Sequence, residues 1–222
     1  MDRIVIVNQN PEFKLSIDQL MSDFHVLTII DRNDLNFNTL KSFNPKWVFF
    51  LHWSHIVDAS IYENFKCVVF HMTDLPYGRG GSPLQNLIVR GMKETKISAI
   101  KMEKELDSGD IYLKEYLSLE GSAREIFGRA ALVIVKMMKE IIKTDPNPIP
   151  QSGEVVYFKR RNPSQSNIDG LSSLEEVYDH IRMLDADGYP PAFLETDAYR
   201  VEFYSANFNK EEITANVRII KK

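Results

Sequence analysis

Residues 67–83 read CVVFHMTDLPYGRGGSP, a β-branched apolar run that stops at His71 and passes into a loop rich in proline and glycine. An uninterrupted apolar run of this length is the pattern of a strand covered on both faces, the kind from which parallel sheets are built. The pattern occurs three more times upstream, in IVIV at 4–7, HVLTII at 25–30 and WVFFL at 47–51, with helical periodicity at 13–24 and 34–43 between them. Strands and helical segments alternating at this pitch make a parallel sheet with crossover helices. Open sheets of that kind bind ligands at the carboxyl ends of their strands, which makes His71 a candidate site residue.

The next apolar run, 97–102, also ends in polar residues, and ELDSGD at 105–110 places Asp107 in the turn beyond it. A strand at 111–117 follows, and Ser122 with Glu125 forms a capping box that opens a long helix to about Lys143. Ser82, Pro83 and Gly91 bracket a short helix between the two loops. The expected fold is α/β, a Rossmann-like, mostly parallel sheet with crossover helices, plus a small α+β C-terminal tail. The first domain is expected at 1–144, and the run DPNPIP at 145–150 opens a linker and small subdomain at 145–222. In the tail, a strand at 155–159, a helix behind two overlapping capping boxes (Ser172 with Glu175, Ser173 with Glu176) and a hairpin of 199–205 with 214–220 are expected. So short a tail has little core of its own and is expected to pack on the first domain or on a second subunit.

Composition narrows the function. The chain has 222 residues, 44% of them hydrophobic, and a formal charge of -4, which argues against nucleic-acid binding through a general excess of positive charge while leaving local basic spots open. The one cysteine, Cys67, lies inside an apolar run and reads as a small buried hydrophobe, so neither an internal disulfide nor a cysteine-based metal site is expected. No run approaches membrane-spanning length, and a cytoplasmic location is expected. The first strand is followed by no G-x-G-x-x-G, which removes the main support for dinucleotide binding.

The His71 loop resembles that of the formyltransferases that use 10-formyltetrahydrofolate, a family with N-x-H-x-S-L-L-P-x-x-R-G-x-x-P, then G-x-x-x-T-G, then L-D-x-G-D. Here these stand as His71 through Leu75, Pro76, Arg79, Gly80 and Pro83, as Gly91 with Thr95, and as Leu106, Asp107, Gly109 and Asp110. The separation of His71 from Asp107 is also the family's. Within that family the chain looks most like enzymes that formylate nucleotide-linked deoxyamino sugars for surface glycans, which implies such a sugar nucleotide as partner, no nucleic acid, and a homodimer built partly through the tail. Methionyl-tRNA formyltransferases resemble the first domain too, but carry a longer, basic C-terminal domain. Other acceptors (glycinamide ribonucleotide, water) and a folate-fold binding protein without catalysis are the remaining alternatives.

Formyl transfer to an amine requires an unprotonated amine, a donor aimed at the developing oxyanion and a group that takes the amine's proton. The resemblance implies His71 as that base and Asp107 as the residue that orients it. It also implies that the segment Trp53, Ser54, His55 and Ile56, with Leu75 and Asp107, borders 10-formyltetrahydrofolate, and that Thr73, Tyr77, Arg79, Lys159 and Arg161 contact the acceptor; no metal is implied. Arg79 has a second reading, as a guanidinium pinning loop carbonyls. The family's asparagine, the oxyanion donor, falls on Val69, which cannot donate. Backbone N–H groups of the loop, Thr73, and His52, Ser54 and His55 are the candidates to replace it, or protonated His71 serves both roles.

Overall fold

The computed structural model describes residues 1–10, 13 and 23–222. The helix expected over 13–24 lies almost entirely outside them. The described elements are β1 (Arg3–Asn8), β2 (His25–Ile29), α1 (Phe37–Phe43), β3 (Trp47–Leu51), α2 (Ala59–Tyr62), β4 (Cys67–His71), β5 (Tyr77–Gly80), α3 (Pro83–Ile88), β6 (Glu94–Lys101), β7 (Ile111–Ser118) and α4 (Ala123–Thr144). They continue with β8 (Val156–Phe158), α5 (Leu174–Arg182), β9 (Ala192–Glu195), β10 (Tyr199–Phe208) and β11 (Ile213–Lys221). Among the described residues the main sheet runs β2-β1-β3-β4-β6-β7, with β11-β10-β9 and β5-β8 as smaller sheets. The fold is the expected α/β architecture, a mostly parallel central sheet with a small C-terminal sheet.

The chain divides into two compact units. Unit 1 comprises 1–80, 95–117 and 127–157, and unit 2 comprises 81–94, 118–126 and 158–222. In unit 1, β1 to β4 run parallel, and their alternation sends Val5, Val7, Val48, Phe50 and Cys67 to one face, where Leu40 of α1 and Ile61 of α2 complete a buried cluster. Ile4, Ile6, Trp47, Phe49, Val68 and Phe70 are buried on the other face. Each such side chain contributes roughly 1.5–3 kcal/mol through removal from water, so the register of these strands is strongly specified. The side chain of Asn36 accepts from the Thr39 N–H at 2.9 Å to start α1, and Asn44 in the left-handed region ends it.

β6 runs antiparallel to β4, pairing His71 with Ser98 and Val68 with Lys101. The chain therefore leaves β6 beside the start of β4, and the loop carrying Asp107 has to return along β4 to reach His71. Two cap details differ from expectation. Ser82 has φ 52 and makes no side-chain cap; its Oγ instead accepts from the Arg161 N–H at 3.1 Å. Ser172 donates to Glu176 rather than pairing with Glu175, so only the Ser173–Glu176 box opens α5. The Ser122–Glu125 box forms as expected.

Unit 2 is tied together by a buried arginine. Arg182 donates to Asp179 at 2.6 Å, to the Leu119 carbonyl at 2.6 Å and to the Gly121 carbonyl at 2.8 Å. A guanidinium with several fixed acceptors is the type of charge that tolerates burial. Tyr178 of α5 packs on Phe208 of β10 with ring centroids 5.4 Å apart.

Candidate active site

His71 is the last residue of β4, and Val69, two positions earlier, lies on the same face. The site is assembled around His71 by three separate segments of unit 1. The ring Nε2 lies 2.8 Å from the Gly78 carbonyl, which fixes it as the N–H bearing nitrogen. Nδ1 then faces Asp107 Oδ2 at 3.6 Å, and both side chains are 8% exposed. The same Asp107 oxygen accepts from the Gly80 N–H at 2.9 Å. The ring is thus held between a carbonyl and a carboxylate, which fixes its orientation.

Local backbone geometry explains how Asp107 gets there. Its φ of 53 is in the left-handed region, which aspartate tolerates better than most residues. Two residues on, a Cβ at Gly109 would lie 1.8 Å from the Lys101 carbonyl oxygen, so only glycine allows the loop to fold back this tightly. Lys101 N–H donates to the Asp110 carbonyl at 2.8 Å and closes the turn. On the other side, Asp74 pairs with Lys114 at 2.5 Å and Lys96 at 3.0 Å, and Lys114 also donates to the Leu75 carbonyl, which anchors the 73–76 loop.

The remaining expected residues divide. Thr73 is fully buried and directs its hydroxyl to the Gly78 carbonyl at 3.4 Å, which shapes the loop. Leu75 has a fully buried side chain, its N–H lies 3.0 Å from the Thr73 carbonyl and 3.2 Å from Ser98 Oγ, and its carbonyl accepts from Lys114. Tyr77 is half-buried on β5. Arg79 gives Nε and Nη2 to the Gln151 amide oxygen at 3.2 and 2.7 Å, so it pins an amide rather than a carbonyl of the main chain. Gln151 was not found from the sequence; a glutamine behind a proline-rich stretch carries no motif.

Residues 52–57 leave β3 at its carboxyl end, and since Leu51 pairs with Phe70 this loop borders His71. Its character fits a pteridine-bearing donor. Trp53 packs partly against the core, its indole N–H is buried without a hydrogen-bond partner, and Ile56 is 95% exposed. A ligand with a flat apolar face and polar edges would satisfy both. His55 lies edge-on to Trp53 with centroids 5.1 Å apart and its Nε2 3.1 Å from Gln9. His52, at φ 50, sets its ring against Phe127, and Ser54 is exposed.

Lys159 and Arg161 belong to unit 2. There the run Lys159, Arg160, Arg161 follows β8, and Arg90 holds its guanidinium 4.5 Å from the Phe158 ring while donating to Asn86. Arg161 is half-buried, and burial together with the Arg90 charge holds its pKa below the ordinary arginine value. None of these four cations has a carboxylate partner among the described residues. No group of three or more histidine, cysteine or acidic side chains suited to a metal occurs among the described residues, and no described helix is long and apolar enough to cross a membrane.

Comparison with known proteins places this geometry. A solved chain named methionyl-tRNA formyltransferase, from Clostridium thermocellum, superposes with a TM-score of 0.97 at 44% identity over 100% of both chains. The chain belongs to the formyltransferase family. Residues 163–220 match the family model for the methionyl-tRNA formyltransferase C-terminal domain. The methionyl-tRNA formyltransferase of Clostridium beijerinckii is 27% identical over 85% of this chain and 63% of its own length. The chain spans about three fifths of the length of the curated relatives it matches. A sugar N-formyltransferase from a Shewanella species shares the fold at 16% identity, with a TM-score of 0.69 over 92% of this chain and 97% of its own.

These relatives overturn the expectation of a nucleotide-linked amino sugar as acceptor and of no nucleic-acid partner. The sugar reading rested on a likeness of the His71 loop and of tail segments to sugar formyltransferases, and the short tail and net negative charge weighed against methionyl-tRNA. The tail's length is no objection, because the Clostridium thermocellum chain matches it end to end. Net charge averages over the surface and hides a basic cluster without carboxylate partners, such as that of Arg90 and Lys159 to Arg161.

Proposed function

We propose that the chain transfers a formyl group from 10-formyltetrahydrofolate to the amino group of methionyl-tRNA. The observation that carries this reading is the His71–Asp107 pair in a chain similar over its full length to one named for that reaction. When bound, the donor supplies the formyl carbon. The acceptor nitrogen forms a bond to that carbon as the bond from carbon to donor nitrogen breaks. His71 Nδ1 takes the proton the amine loses, with Asp107 holding the resulting positive charge, and returns it toward the departing donor nitrogen. The 52–57 loop holds the pteridine. The Arg90, Lys159, Arg160 and Arg161 cluster, exposed except for the half-buried Arg161, supports a polyanionic acceptor, since cations without carboxylate partners bind phosphate well.

Incubation with 10-formyltetrahydrofolate and methionyl-tRNA, with N-formylmethionyl-tRNA and tetrahydrofolate both followed, tests this reading. Both products are expected together. Tetrahydrofolate release without formylated tRNA overturns the acceptor; absence of release with any amine or with water overturns the enzyme.

A further inference from the structure

The Gln151 side-chain amide links Arg79 to the segment that carries Asp107. Nε2 donates to the Asp107 carbonyl at 2.9 Å and to the Gly109 carbonyl at 2.8 Å, while Oε1 receives both bonds from Arg79. We propose that Gln151, oriented by Arg79, is the positioning residue that sets the Asp107 carboxylate against His71. The inference rests on the catalytic reading of that pair.

Three features support it. The loop of Asp107 arrives from the far end of β4 and is bent through a left-handed residue, so something must hold it against relaxation. Gln151 is itself fixed by a main-chain bridge in which Ile149 and Ile111 exchange hydrogen bonds of 2.8 and 2.9 Å at the start of β7. The clamp is also directional. Arg79 requires an acceptor on one side, the two carbonyls require donors on the other, and an uncharged amide of this length meets both demands. A glutamate would keep Arg79 and repel the carbonyls, so Gln151→Glu separates the two halves of the clamp with little change in shape.

The test reads the Gly80 amide, whose N–H is bonded to Asp107 Oδ2. In Gln151→Glu and Gln151→Leu, hydrogen exchange at Gly80 is expected to accelerate by roughly tenfold or more as the loop loses two bonds. Turnover should fall by about 10- to 100-fold, with the donor KM within about twofold. In an Asp107→Asn background, Gln151→Glu should add less than about a twofold further loss, because both changes act through one group. Unchanged Gly80 exchange in the folded Glu variant overturns the proposal, as does a loss that multiplies in full with that of Asp107→Asn. The exchange measurement needs neither donor nor acceptor. It therefore stands apart from the methionyl-tRNA reading, whose failure would show as absent product in the unsubstituted protein.

Discussion

The two ends of β4 each carry a buried titratable side chain, and they behave as opposites. Cys67, at the amino end, is 2% exposed in an apolar cluster, and burial pushes its thiol up to about 12. His71, at the carboxyl end, is 7% exposed, yet both ring nitrogens face polar groups brought in from residues 78 and 107. Burial therefore does not mark the site. A buried thiol in an apolar cluster is packing, whereas a buried imidazole with a carbonyl on one nitrogen and a carboxylate on the other has the surroundings that the proposed proton transfer requires.

The most direct way to break this contrast is to remove the pair at the carboxyl end. His71→Ala and Asp107→Asn are each expected to lower turnover by about 10²- to 10⁴-fold, the usual range for a positioned acid–base group, with a melting temperature close to that of the unsubstituted protein. Steady-state kinetics beside thermal melts decides it. Near-full activity in either variant would move the chemistry elsewhere and leave the two ends of β4 equivalent.

Val69 offers a smaller and sharper test. It shares a face with His71 and packs partly against both apolar clusters of unit 1. Thr73 is buried and engaged, and the Gly80 N–H is given to Asp107, so two of the donors considered for the missing oxyanion contact are accounted for inside the protein. Val69→Asn is expected to raise turnover about tenfold by restoring a side-chain donor, at a stability cost of about 1–3 kcal/mol for placing an amide among apolar side chains. A fall in turnover in the folded variant would show that another group already fills the role.

The contrast also explains what could be read from the residues alone. β1, β3, β4 and α4 were legible because continuous apolar runs and a capping box are local patterns. The His71 and Asp107 pair was legible as a joint motif. The direction of β6 was not, since an apolar run looks the same in either orientation. β5 escaped because Tyr77-Gly-Arg-Gly80 has two glycines and no alternation, and its partner β8 lies some eighty residues away. Gln151 escaped for a related reason. Its role is defined by three partners distant in sequence, and nothing next to it reveals them.

At the amino end the expected effects on turnover vanish. At pH 8 a thiol held at about 12 is ionised in roughly one molecule in ten thousand, so Cys67 should be inert to an aromatic disulfide reagent until the protein unfolds. Cys67→Ala should leave turnover unchanged and cost about 1 kcal/mol of stability, through a small lost packing volume. Rapid labelling of the native protein would show that this end of the strand opens, and the contrast with His71 would weaken.

The smallest expected effects compare two carboxylates held by lysine. Burial raises the Asp74 carboxyl, but Lys114 and Lys96 together outweigh it and leave the group below the ordinary value of 3.8. Asp145 is held low chiefly by its hydrogen bond to Lys66, just before β4, and is exposed. A depressed folded-state pKa means stability that is present above the unfolded value and is lost as pH falls through the folded one. Because the Asp74 side chain is 41% exposed, screening limits its contribution to no more than about 1 kcal/mol. Asp74→Asn should therefore melt slightly earlier than the unsubstituted protein at pH 7, and the gap should close as pH falls below the ordinary value of 3.8 and through the lowered folded-state one. It should also cost turnover a few-fold, since Lys114 anchors the loop that carries the Gly78 carbonyl to His71. Asp145→Asn should change neither quantity measurably. Equal effects from both substitutions would mean that the loop beyond His71 is no more constrained by its ion pairs than the segment before Cys67.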